Sequence, residues 1–144
     1  MQNFNGNHCE NDAQVLALVE DANILADKKM YQEAIGKYKE AWDLIPEPRN
    51  IHPLSTAVMS ELMDVYFLVG HWSYAKEAVE CAISCPGGCE DSFLRLRYGQ
   101  ILFDHGELNE AFKELKFAYG TAGFDIFRTE DPRYLDFLKA RERV

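Results

Sequence analysis

Three segments of the chain share one pattern of small and large apolar residues. In each, two alanines lie seven residues apart, with a large side chain three residues before the first alanine and another four residues after it. Offsets of three, four and seven place side chains on one face of an α-helix, so each segment is predicted to be a helix with one apolar face. The alanine pairs are Ala34 and Ala41, Ala75 and Ala82, and Ala111 and Ala118.

A second helix is predicted before each of these segments. A further large apolar residue lies nine residues before the first alanine in every case, and turn-forming residues separate the two helices. The sequence therefore predicts three repeats of helix, tight turn and helix, at about residues 13–46, 54–86 and 91–120. The predicted turns are Asp27-Lys28-Lys29, Val69-Gly70-His71 and Asp104-His105-Gly106.

This pattern resembles the tetratricopeptide repeat (TPR) family, whose first helix carries W-x2-L-G-x2-Y and whose second carries A-x3-F before a proline. The small position of the first helix is held by Ala22, Met63 and Gly99. Asp21, Met63 and Arg95 are unusual residue types for the positions that they occupy in the first-helix signature. The repeats are spaced by 41 residues (Ala34 to Ala75) and 36 residues (Ala75 to Ala111), where the family has about 34. The second helices read Ala34-x3-Tyr38, Ala75-x3-Val79 and Ala111-x3-Leu115.

The resemblance implies an all-α fold, a right-handed superhelix (solenoid) of three TPR-like helix-turn-helix units, in a single domain over residues 12–144. An irregular helical bundle is the alternative. A capping helix is predicted at about residues 131–143, because Asp131 provides an N-cap oxygen and Pro132 suits the first helical turn. Residues 1–11 have no periodicity and are expected to be disordered.

Composition and charge narrow the class of protein. The chain has 144 residues, of which 47% are apolar, so it is large and hydrophobic enough to form a core. Its 24 acidic and 15 basic residues leave a net charge of −9, which argues against binding nucleic acid through phosphates. The start of the sequence resembles no secretory signal and the longest apolar runs are short, so we expect no membrane segment and a cytoplasmic location.

Residues that could carry chemistry are few. The four histidines are scattered, with no catalytic or metal-binding spacing, and no phosphate-binding glycine loop is present. We therefore expect no enzyme activity, no metal and no cofactor. Cys81, Cys85 and Cys89 are spaced four apart, which leaves a zinc site or a Cys85–Cys89 disulfide as alternatives to buried thiols.

The resemblance also implies a concave groove lined by the first helix of each repeat. TPR domains that hold a chaperone's C-terminal carboxylate use basic residues and asparagines there. Here only Asn23 matches, while Val19, Ser60 and Leu96 occupy the basic positions, so this mode of binding is not expected. The predicted groove residues are Leu16, Val19, Asn23 and Asp27 in the first repeat, Ser60, Asp64, Phe67 and Leu68 in the second, and Phe93, Leu96, Gln100, Phe103 and Asp104 in the third.

This predicted groove is acidic and partly apolar, which favours a basic protein partner. The most specific hypothesis is an immunity protein that neutralises a basic bacterial toxin, because the residues from Phe124 to Leu135 resemble the ending of small stand-alone bacterial TPR proteins. The alternatives are a cytoplasmic chaperone for an export substrate and a general adaptor or scaffold. An enzyme built around Cys85 ranks below all of these.

Overall fold

Helices form all the regular structure of the described residues. The computed structural model describes the backbone of residues 3–142 and the side chains of residues 11–142, and within those residues it has seven α-helices, three short 3-10 helices and no strand. The helices are α1 (Asn3–Asp27), α2 (Tyr31–Leu44), α3 (Ser55–Leu68), α4 (Trp72–Ile83), α5 (Ser92–Asp104), α6 (Leu108–Ala122) and α7 (Pro132–Glu142).

By its internal contacts the chain divides into two compact units. The N-terminal unit ends at Pro86 and contains α1 to α4, and the C-terminal unit begins at Gly87 and contains α5 to α7. In a repeat fold each helix pair contacts mainly its sequence neighbours, so compact units separate between repeats. The two units are described separately below.

The same turn joins the two helices of every repeat. Lys29, Gly70 and Gly106 have φ values of 63°, 79° and 85°, the left-handed conformation that glycine adopts at little cost. In each turn the next N–H donates to a carbonyl five residues earlier, which satisfies one of the unpaired carbonyls at the helix end. These bonds run from Met30 to Leu25 (2.9 Å), from His71 to Tyr66 (3.0 Å) and from Glu107 to Leu102 (2.9 Å).

The small residues of the repeat pattern lie where helices pack closely. A Cβ atom added to Gly99 on α5 would lie 2.7 Å from the Leu115 side chain on α6, which is closer than real Cβ contacts allow. A larger side chain there would force the two helices apart. The structure buries all eight small positions that the repeat pattern singled out: Ala22, Ala34, Ala41, Ala75, Ala82, Gly99, Ala111 and Ala118.

Helix α1 begins earlier than the sequence suggested. It starts at Asn3, whereas disorder was expected over residues 1–11; residues 1 and 2 lie outside the described part of the chain. An established helix extends by adding one hydrogen bond per residue and needs no apolar periodicity to do so. Burial in the core begins at Val15, which is 1% exposed.

The C-terminal unit closes with the predicted terminal helix. The Arg133 N–H donates to the Asp131 carboxylate (3.0 Å), which is the predicted N-cap contact, and α7 starts at Pro132. Tyr134 and Leu138 on α7 are buried in one core cluster with Leu96 of α5. Helix α6 continues to Ala122, two residues past the predicted end of the third repeat, and a 3-10 helix (Phe124–Phe127) follows it.

Candidate functional site

The predicted groove residues of the first two repeats lie on α1 and α3 of the N-terminal unit. Leu16 and Leu68 are 56% and 59% exposed, which is unusual for leucine and leaves both side chains available to a partner. Asp27 is also exposed. Val19 instead packs against a buried cluster that includes Val15, so only part of its surface is accessible. The remaining four, Asn23, Ser60, Asp64 and Phe67, are half-buried.

A cluster of three carboxylates surrounds the side chain of Tyr38 on α2. Tyr38 is 1% exposed and its hydroxyl donates to the Asn23 amide oxygen. Burial raises the pKa of Tyr38 well above its usual range, and the negative charges of Glu61, Asp27 and Asp64 raise it further. We call Asp27, Glu61 and Asp64 the acidic cluster.

Glu61 belongs to this cluster although the sequence prediction did not include it. Partial burial raises the pKa of the Glu61 carboxyl, and the nearby charges of Asp64 and Asp27 add to the effect. Glu61 lies three residues before Asp64 on α3, so the helical spacing already placed both on one face. The predicted groove residues were chosen position by position within each repeat, and Glu61 was not among the positions chosen.

Neutralising Glu61 is expected to stabilise the protein at neutral pH. A carboxyl whose pKa is raised on folding contributes stability below its unfolded pKa and loses it as the pH rises through the folded value. Glu61→Gln should therefore raise the unfolding free energy by about 0.5 kcal/mol at pH 7, a value kept small because the side chain is partly solvated. Urea denaturation at pH 7 and pH 4 tests this, and the gain should vanish at the lower pH. Glu77→Gln, at an exposed position on α4, is the control. An equal gain from Glu61→Gln at both pH values would contradict the ionised Glu61 carboxylate as the cause.

In the third repeat the structure corrects part of the predicted groove. Leu96 is 1% exposed and Gln100 is fully buried, so neither can contact a partner. Phe103 packs edge-on against Tyr134 (5.5 Å between ring centroids) and Phe137 (5.0 Å) of α7. The reason is that α7 and the segment before it cover this face of α5 within the C-terminal unit.

The two other predicted residues of α5 remain at the surface. Asp104 is exposed but accepts a hydrogen bond from the Tyr134 hydroxyl (2.9 Å) and pairs with Arg133 (2.9 Å), so it holds α7 in place. Phe93 is 38% exposed, and the Arg97 guanidinium lies 4.7 Å from its ring centroid. Within the C-terminal unit, Phe93 is therefore a predicted α5 residue that keeps exposed apolar surface.

A buried polar network explains why Gln100 points inward. Its amide donates to the Glu130 carboxylate (2.8 Å) and its amide oxygen accepts from Arg97 (2.7 Å). Arg97 also pairs with Glu130 at 2.6 Å. Glu130 lies just before α7, so the network ties the final helix to α5. Nothing in the local sequence indicated it, because the partners are about 30 residues apart.

One of the four histidines is buried and contacts both the backbone and a carboxylate. His52 is 5% exposed, its Nδ1 accepts from the Leu54 N–H (3.1 Å), and its Nε2 lies 3.2 Å from the Asp12 carboxylate. This contact holds the linker between the first two repeats against α1.

The cysteines of the α4 end are free thiols with different surroundings. Cys85 is buried, Cys81 is half-buried and Cys89 is exposed. Burial raises the pKa of the Cys81 thiol to about 11, and the neighbouring Cys85 adds to this. Burial also raises the pKa of Cys85.

Neither a metal-ligand cluster nor a membrane-spanning helix occurs in the described part of the chain. It contains no group of three or more His, Cys, Asp or Glu side chains placed to bind one metal ion. Within the same residues, none of the helices combines the length and the apolar character that a bilayer crossing requires.

Comparison with known proteins shows the fold. No protein-family model and no curated protein matches the chain. Solved structures match the chain at low sequence identity. One is the first TPR domain of Spaghetti (RPAP3), solved with the HSP90 peptide SRMEEVD. It is 18% identical to this chain, with a TM-score of 0.69, and the match covers 91% of this chain and 92% of that one. The type III secretion translocator chaperone SycD of Yersinia enterocolitica is 16% identical with a TM-score of 0.67 over 90% of each chain. The Sgt2 TPR domain of Aspergillus fumigatus is 20% identical with a TM-score of 0.65 over 90% of this chain and 77% of that one.

These likenesses confirm the predicted fold class, an all-α TPR-like fold of about three repeats.

Proposed function

We propose that the protein is a non-enzymatic interaction module of the cytoplasm that binds a basic, partly apolar protein segment on the α1–α3 face. This face comprises the acidic cluster together with Leu16, Phe67 and Leu68. The observation that supports the proposal is the grouping of Asp27, Glu61 and Asp64 around Tyr38, where their like charges repel one another, on the same two helices as the exposed Leu16 and Leu68. A lysine or arginine side chain from a partner would relieve that repulsion, and the exposed leucines offer it apolar contacts.

The charge of this face argues against the ligand seen on the RPAP3 domain. That domain was solved with the peptide SRMEEVD, which is acidic at its C-terminal end. Here the face is itself acidic, and Asn23 is engaged by the Tyr38 hydroxyl. The peptide SRMEEVD is therefore a suitable negative control, and tight binding of it would contradict the proposed charge preference.

Two forms of the partner fit this face. A folded basic domain corresponds to the immunity-protein hypothesis, for which the net charge of −9 is the support. An extended segment corresponds to the chaperone hypothesis, which the likeness to the translocator chaperone SycD favours. The two differ in a measurable way, because a folded partner keeps its protease resistance and its own melting transition before binding, whereas an export segment does not.

Reversing charge on the α1–α3 face is expected to slow partner association without unfolding the protein. The variant Asp27→Lys with Asp64→Lys should lower the association rate constant about tenfold at about 50 mM salt and much less at about 300 mM, because salt screens exposed charges. Partners captured from cells that express the protein and identified by mass spectrometry supply the ligand for stopped-flow measurements.

The matched control is Asp43→Lys with Glu33→Lys, which changes the net charge equally at exposed positions of α2. A partner of the α1–α3 face is retained by this control and lost or slowed with the test variant. If both variants slow association equally, net charge steers the partner and the proposed face is wrong.

A further inference from the structure

The first repeat has an open apolar cavity between its two helices. Its volume is about 260 Å³, and it is lined by Asp21, Ile24 and Leu25 of α1 and by Lys37 of α2. Ile24 is 46% exposed, so the cavity presents apolar surface to solvent. All four residues belong to the N-terminal unit.

The second repeat shows what covers this side of a repeat. The repeat spacing of 41 residues places Leu62, Val65, Tyr66 and Ala78 at the equivalent positions, and all four are buried. The preceding repeat lies over them, since Lys39 of α2 lines one cavity together with Leu62 and Tyr66. No helix precedes α1 in the described part of the chain, so the first repeat has no such neighbour there.

The same side of the first repeat is open to a close approach. Ala13 and Ala17 lie eight and four residues before Asp21, on one face of α1, and both are exposed. On α2, Gly36 is equivalent to Glu77, which lines the covered cavity of the second repeat. A Cβ added to Gly36 would meet no other atom within 4 Å. These small side chains leave room for the backbone of another helix.

Two opposite charges lie at the rim of this cavity. Asp21 is on the α1 wall and Lys37 is on the α2 wall. Lys37 also contacts Glu40 at 4.0 Å, an exposed pair within α2 that contributes little to stability. A surface that carries one acid and one base beside an apolar centre is complementary to a copy of itself. When two copies meet about a two-fold axis, the acid of each faces the base of the other.

We propose that this side of the first repeat binds a second copy of the chain in a two-fold symmetric dimer. Ile24 of each copy packs at the centre of the contact, and Asp21 and Lys37 form two reciprocal ion pairs around it. A partner of uniform charge fits less well, because it places a like charge next to one of these two residues. None of the three residues belongs to the α1–α3 face, so the dimer does not depend on the proposed function.

Reversing either charge alone should weaken the dimer. Asp21→Lys creates two pairs of like charges in a symmetric dimer, and Lys37→Asp does the same with the opposite sign. Each should raise the dimer dissociation constant about tenfold or more at low salt, and Ile24→Glu should do so by burying a charge at the centre. Sedimentation equilibrium of the full chain measures the dissociation constant, and circular dichroism checks the fold of each variant.

Mixing the two charge variants is the decisive experiment. A dimer of one Asp21→Lys chain with one Lys37→Asp chain has opposite charges in both pairs again. The mixture should therefore dimerise with a dissociation constant within about threefold of that of the unmodified chain, although neither variant dimerises well alone. Asp43→Lys, which changes the net charge as Asp21→Lys does at an exposed position of α2, is the control and should have no effect.

Several results would overturn the proposal. A chain that stays monomeric at every concentration at which it is soluble has no such dimer. A dimer that none of the variants weakens has its contact elsewhere, and a mixture that fails to dimerise excludes the reciprocal pairs of Asp21 with Lys37. Growth beyond two chains means head-to-tail association in place of a two-fold contact. An equal loss with Asp43→Lys assigns the effect to net charge.

Discussion

Ala111→Leu is expected to lower the free energy of unfolding by about 3 kcal/mol, the upper end of the cost of overpacking a tight core. Ala111 is fully buried on α6, and the 2.7 Å that separates a Cβ built on Gly99 from Leu115 shows how little space lies between α5 and α6. Three additional carbon atoms cannot be accommodated there without moving a helix. Urea denaturation and the melting temperature measure the loss.

Two further variants make this expectation specific. Ala75→Leu alters the same repeat position in the N-terminal unit, where the alanine is 1% exposed, and should cost a similar amount. Ala140→Leu places the same side chain at an exposed position of α7 and should change the stability by less than about 0.5 kcal/mol. An unchanged melting temperature in both Ala75→Leu and Ala111→Leu would show that these alanines do not set the helix spacing.

Glu130→Ala is expected to destabilise the C-terminal unit by about 2–3 kcal/mol. The substitution removes the acceptor of the Gln100 amide, which is fully buried, and one partner of the Arg97 guanidinium. A buried donor without its acceptor costs its full desolvation, and more when a charge is involved. Unfolding of α7 can be followed by the fluorescence of Tyr134 or by hydrogen exchange along residues 132–142.

The control for Glu130→Ala is Glu110→Ala. Glu110 makes an exposed ion pair with Lys113 at 3.4 Å, and such pairs contribute little to stability. Equal losses in both variants would mean that the network around Gln100 is no stronger than a surface pair. Glu130→Gln should fall between them, because it keeps an acceptor for the Gln100 amide and loses the charge.

The contrast between the repeats shows how far the predicted site followed from the sequence. On α1 and α3, the repeat register placed Asp27 and Asp64 on one side, and the structure brings both close to Tyr38. On α5, the same register selected Leu96 and Gln100, which are buried. The register describes which way a side chain points from its helix, and it cannot say whether another part of the chain covers that side.

The chain alone was sufficient for the TPR-like fold, because helical periodicity, small residues at helix crossings and left-handed turns are local properties repeated three times. The placement of α7 and of the segment before it did not follow from local sequence. It depended on contacts such as Gln100 with Glu130 and Asp104 with Tyr134, which join residues 30 positions apart. Folding brought those side chains together, and their desolvation and pairing determined which part of the predicted surface stayed open to a partner.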